Sequence, residues 1–171
     1  MKDFDKLLSG GDLRSIGKAN EVIKEVYNQS DFNTLFNGLY NSDRKIVMRS
    51  ADAIEKITIK NSAYLSKHKK RILLLCKTAK DKELKWHLVL IITRIKLSEK
   101  ELGFVWQTLT KWATDKNESK IVRVNSIQGL NNLLSQNEEL RQDFEITLNG
   151  LESENIPSIL ARIRKLKTTN H

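Results

Sequence analysis

The sequence predicts an all-α protein and, within that class, a right-handed α-solenoid of about four to five helical hairpins. Three observations carry this expectation. Only seven Gly and one Pro occur in 171 residues, too few to turn the chain between the many short strands of an all-β protein. Apolar residues return at the 3.6-residue helical period along nearly the whole chain, with short polar gaps between the runs. The pattern itself recurs at an interval in the high thirties, as expected of stacked two-helix units.

The first helix is predicted over 12–28, with Asp12 as a cap and Ile23 and Val26 on the apolar side. A second follows over 31–40. The third, 43–58, contains "DRKIVMRSADAIEKI", in which Arg49 interrupts an apolar stripe behind the helix-start residue Asp43. The fourth, 67–79, includes "ILLLC". Its Cys76 reads as a small core residue, since no His or acid stands beside it to activate a thiolate. The fifth covers 82–95 behind Asp81.

The sixth helix, 99–114, is the clearest, with Leu102, Val105, Trp106, Leu109, Trp112 and Ala113 on one stripe. Ser98 and Glu101 have capping-box spacing, in which each side chain satisfies a free backbone N–H. The seventh spans 119–134, and Ser135 with Glu138 repeats the box before the eighth, 137–150. Pro157 suits the first turn of the ninth, 156–167, where the N–H it lacks has no helical partner. Connections this short pack successive helices as antiparallel hairpins. The whole chain, 1–171, is expected to form one domain, with 168–171 as a short polar tail.

The repeat emerges on aligning "IVMRSADAIEKI", "LKWHLVLIITRI" and "VRVNSIQGLNNL". Arg49, His87 and Asn125 then coincide at intervals of 38 residues, Arg162 follows 37 residues on, and Lys18 precedes Arg49 by 31. Six residues before the first four of these, taken in chain order, stand Asp12, Asp43, Asp81 and Ser119, all helix-start types.

On the Asp43-to-Arg49 spacing, "RSADAIEKI", "DKELKWHLVLI" and "ILARIRKL", the chain resembles the HEAT-repeat group of α-solenoids, and more closely small bacterial HEAT-like repeat proteins of unassigned role. The resemblance covers about residues 12 to 167. It implies that Asp43 and Arg49 belong to a structural ladder linking neighbouring repeats. His87 and Asn125 replace the Arg, and Ser119 the Asp, so the ladder would be partly rewritten as neutral hydrogen bonds. Arg49 is thus read either as part of that ladder or as a ligand contact. In a right-handed stack the second helices line the concave side, which would set Lys18, Arg49, His87, Asn125 and Arg162 in one polar row.

Charge and aromatic residues suggest where a partner would bind. Net charge is +9 and unevenly spread: residues 1–42 hold five Lys and Arg against six acids, whereas residues 67–85 hold eight against two. Lys67, Lys69, Lys70 and Arg71, in "SKHKKR", form a basic patch at a predicted helix start, either an anion site or a solvated surface run. Trp86, between Lys85 and His87, is read as a stacking residue or as core. The expected groove residues are Arg49, Trp86, His87, Arg123 and Arg162.

Reaction chemistry is harder to place. The histidines, His68, His87 and His171, lack metal-ligand spacing, and no phosphate-binding glycine loop or nucleophile motif occurs. No catalytic residue, cofactor or metal is therefore expected. The expected function is a non-enzymatic scaffold whose polar, basic groove holds an acidic protein or an extended peptide. The alternative is nucleic-acid binding, by resemblance to HEAT-like DNA alkylpurine glycosylases, with Trp86, His87 and Arg49 in the cleft. For that reading no catalytic aspartate is placed, since Asp52 equally suits an ion pair with Lys56 four residues on. The longest apolar run, "LVLIIT", is far short of the ~20 residues of a membrane span. With a lone cysteine and no signal-peptide segment, a cytoplasmic protein without membrane attachment is expected.

Overall fold

The computed structural model describes residues 3–10 and 18–169. Among them are ten α-helices joined by short 3-10 turns, and no strand. The expected cap Asp12, the predicted helix start at 12 and His171 lie outside the described residues. The chain divides into two compact units, residues 1–70 and 71–171.

In the first unit, α1 (Phe4–Leu8), α2 (Ala19–Glu25) and α3 (Gln29–Asn37) all pack on α4 (Arg44–Lys60). α1 was not expected from the periodicity, being little more than one turn. α3 starts at Asn28, whose side chain accepts from Asp31 N, and α4 at Asp43, whose carboxylate accepts from Lys45 N at 2.8 Å. The buried side of α4 alternates Ile46, Ile54 and Ile57 with the small Ser50, Ala51 and Ala53. At Gly38 an added Cβ would fall 2.2 Å from Ser50 Oγ, so the turn after α3 rests directly on α4. Aromatic rings pack in this core too: Phe36 stacks on His68 at 3.9 Å between centroids and Phe32 on Tyr64 at 5.1 Å.

α5 (Lys69–Thr78) begins at the boundary between the units. In the second unit, α8 (Lys120–Leu133) packs against α6 (Lys82–Ile92) and α10 (Pro157–Thr169), while α7 (Glu99–Thr114) and α9 (Arg141–Glu152) also touch it. Within this unit the even-numbered helices α6, α8 and α10 thus form one layer and α7 with α9 cover it. α8 approaches its neighbours closely because Gly129 has no side chain. A Cβ there would lie 2.5 Å from Val89 Cγ1 of α6 and 2.9 Å from Leu109 Cδ1 of α7.

Start signals fared unevenly. The Ser98–Glu101 capping box is present on α7, Ser119 caps α8, and Pro157 is the first residue of α10. The second box is absent. Ser135 donates to Asn132 O, and Asn137 is the cap instead, leading a 3-10 turn over Glu138–Leu140 before α9. The competing local hydrogen bonds of Ser and Asn explain why similar sequences end in different caps. The expected tail is also shorter, since Thr168 and Thr169 belong to α10.

Candidate interaction surface

Three of the expected groove residues point inward. Arg49 is fully buried, and its Nη1 donates at 2.6 Å to the carbonyls of both Leu8 and Gly10. Leu8 O is the last carbonyl of α1 and Gly10 O lies two residues beyond it, so the guanidinium donates to the helix C-terminus and to the chain that leaves it. Asp43 caps its own helix and lies 4.0 Å from Lys45 Nζ. His87 is buried, its ring 3.9 Å from that of Trp86. Arg123 is buried as well. Its Nε donates to Ala113 O at 2.8 Å, and its Nη2 reaches both carboxylate oxygens of Glu154 at 2.8 and 2.9 Å.

Arg123 and Glu154 reveal a tie that sequence reasoning missed. Glu154 sits in the turn between α9 and α10, so the pair joins the α7–α8 hairpin to the next one. One repeat earlier, Lys85 of α6 pairs with Glu118 in the turn before α8. Lys85 and Arg123 are 38 residues apart, the same interval as His87 and Asn125 but two places earlier. That shared interval was the available signal. Burial holds the Lys85 ammonium below its ordinary pKa, and the nearby Asp115 carboxylate works against that shift. The Lys85 Nζ also stands 5.3 Å from the centre of the Trp112 ring.

Further hydrogen bonds complete the stack in the same unit. Gln136 accepts from Leu97 N and donates to Ile95 O, both at 2.9 Å. Trp106 Nε1 donates to Asp143 at 2.6 Å. These bonds and the two ion pairs connect residues 31 to 41 positions apart, about one repeat, which is the nearest-neighbour pattern of a repeat protein.

Trp86 and Arg162 lie elsewhere. Both are half-buried, and Arg162 Nη1 donates to Gln128 Oε1 across α8 and α10. On α8, Ile121, Asn125, Gln128 and Asn132 follow one another at helical spacing along the side that no buried residue occupies. Trp86 and Leu90 occupy the matching side of α6. This face, on the even-numbered helices of residues 71–171, is polar, amide-rich and partly aromatic.

Of the expected basic patch, Lys67 and Lys70 are exposed and Lys69 and Arg71 half-buried. Asp52 pairs with Lys56 at 2.8 Å. Cys76 is buried, and that burial pushes its thiol up to about 12, out of reach of thiolate chemistry at neutral pH. Among the described residues no group of three or more His, Cys, Asp or Glu is placed to hold a metal ion. Nor, among them, is any helix long and apolar enough to cross a membrane. A cleft of about 580 Å³ between α9 and α10 is floored by Phe144, Leu148 and Leu166. Its rim cations are engaged, Arg141 with Glu138 and Lys167 with Glu152.

The family model for the HEAT repeat domain matches residues 5–169, a span that runs through both units. No curated protein and no solved structure matches this chain.

Proposed function

The chain belongs to the HEAT repeat family, and we propose that it is a non-enzymatic binding scaffold for a protein partner. The right-handed stack of four to five hairpins, acting as one domain with its second helices along a polar, basic groove, is part of this proposal. The observation that carries it is the division of labour among the expected groove residues. Arg49, His87 and Arg123 are buried as supports, while Trp86 and Arg162 stand at the surface beside an amide stripe. A few such contacts on a preorganised surface give specificity with modest affinity. Lys67 and Lys70 supply an accessory basic contact. The buried, unreactive Cys76 suits a reducing, cytoplasmic setting.

Photo-crosslinking tests the scaffold reading. A benzophenone amino acid replaces Asn125 on α8 or Gln107 on α7, one position in each layer, in the full chain inside cells. The expected result is a discrete protein adduct at one of them, whose purified partner then binds the unmodified chain with saturable stoichiometry. No adduct from either layer would sink the scaffold reading.

A further inference from the structure

The two layers formed by α6 to α10 differ in charge. α6, α8 and α10 carry eight Lys and Arg and a single acid, Glu83, whereas α7 and α9 carry three Lys and Arg against five acids. Three of the eight cations, Lys85, Arg123 and Lys167, are taken up by Glu118, Glu154 and Glu152. Lys82 and Lys120 are exposed, 38 residues apart, at equivalent places on α6 and α8. α10 carries Arg162, half-buried against Gln128, and the exposed Arg164 two residues on.

We propose that the exposed face of α6, α8 and α10 binds an extended, acidic polypeptide segment. Its carboxylates would meet Lys82, Lys120 and Arg162, and its main chain the amides of Asn125, Gln128 and Asn132. This rests on the scaffold reading and names the partner's chemistry. The sign of the charge selects an acidic ligand. The amides select a polypeptide over a nucleic-acid backbone. Phosphates offer only acceptors, whereas a side-chain amide donates and accepts, as a peptide main chain does. Spacing agrees too: neighbouring helix axes lie about 8–10 Å apart, and an extended chain advances about 3.3 Å per residue. An acid at every third residue would therefore meet successive helices.

Fluorescence anisotropy with the full chain tests this, using a labelled peptide of about 20 residues with Glu at every third position. Two variants carry the same change in charge: K82E/K120E on the proposed face and K100E/K111E on α7, where both lysines are exposed. Circular dichroism first verifies that both keep their helix content. The expected result is that K82E/K120E weakens binding about tenfold or more and K100E/K111E by less than about threefold. N125A is expected to weaken binding while leaving the salt dependence unchanged. Equal losses in the two charge variants would overturn the proposal, as binding would then follow net charge alone. Tighter binding of a single-stranded oligonucleotide of equal length would overturn its polypeptide chemistry. If the peptide does not bind while the Gln107 position yields a crosslinked partner, this inference fails and the scaffold reading stands. Absence of crosslinks at both positions removes the scaffold itself.

Discussion

Arg123 divides its guanidinium between the Ala113 carbonyl and the Glu154 carboxylate while only 2% exposed. Removing one member of such a pair is costly mainly because the other is left desolvated and alone. Replacing both by apolar groups of similar volume is often close to neutral. R123M is therefore expected to destabilise the chain by about 3 kcal/mol, and R123M/E154M to recover more than half of that loss. Urea unfolding of the two variants beside the parent measures both. If the double variant were no better than R123M, the bond to Ala113 O, not the unpaired Glu154, would be the source of the loss. Arg49 shows why such roles are hard to read from a sequence. The interruption of an apolar stripe at position 49 was visible, but its acceptors are backbone carbonyls of Leu8 and Gly10. Carbonyls carry no residue-type signature, so nothing in the sequence points to them.

At the level of elements, Gly103 and Gly129 form a controlled pair, both inside long helices of the second unit. A Cβ on Gly103 meets nothing within 4 Å, whereas one on Gly129 would strike Val89 and Leu109 at under 3 Å. G103A is expected to stabilise by up to about 1 kcal/mol, the helix preference of Ala over Gly. G129A gains the same preference but loses more to overpacking, about 1–3 kcal/mol, for a net destabilisation. Thermal unfolding of the two variants should move in opposite directions, and a shared sign would mean that α6, α7 and α8 are not held as closely as described. Helix positions were legible because burial on one side imposes the 3.6-residue period: α7 spans the expected 99–114. Caps were less so. Ser98 and Ser135 both precede an acid by three residues, yet only Ser98 forms the box. The chain after Ser135 winds first into a 3-10 turn with Asn137 at its start.

For the whole molecule, the repeat was legible and its bonding register was not. The interval of 38 residues reflects one hairpin stacking on the next, and it appears wherever equivalent side chains are buried against equivalent neighbours. The ion pairs that use this interval begin at Lys85 and Arg123, not at the position of His87. A partner two residues away on the same helix shares the period, so periodicity alone does not choose between them. Charge is the other property of the whole chain, and it sets the last expectation. A net charge of +9 repels itself in the compact state. Salt screens that repulsion, since the Debye length falls from about 30 Å at 0.01 M to about 8 Å at 0.15 M. The same salt weakens exposed pairs such as Lys56–Asp52 and Lys167–Glu152, but each of these contributes only about 0–1 kcal/mol. The partly or fully buried pairs of Lys85 and Arg123 are screened much less. Relief of repulsion should therefore win, raising the Tm by a few degrees between these two sodium chloride concentrations, about 2–4 °C for each kcal/mol relieved. The K82E/K120E variant, with its lower net charge, should show a smaller rise. A Tm that falls with salt would mean that attractive pairs outweigh the net positive charge, and that the cations of the even-numbered layer are compensated within the fold.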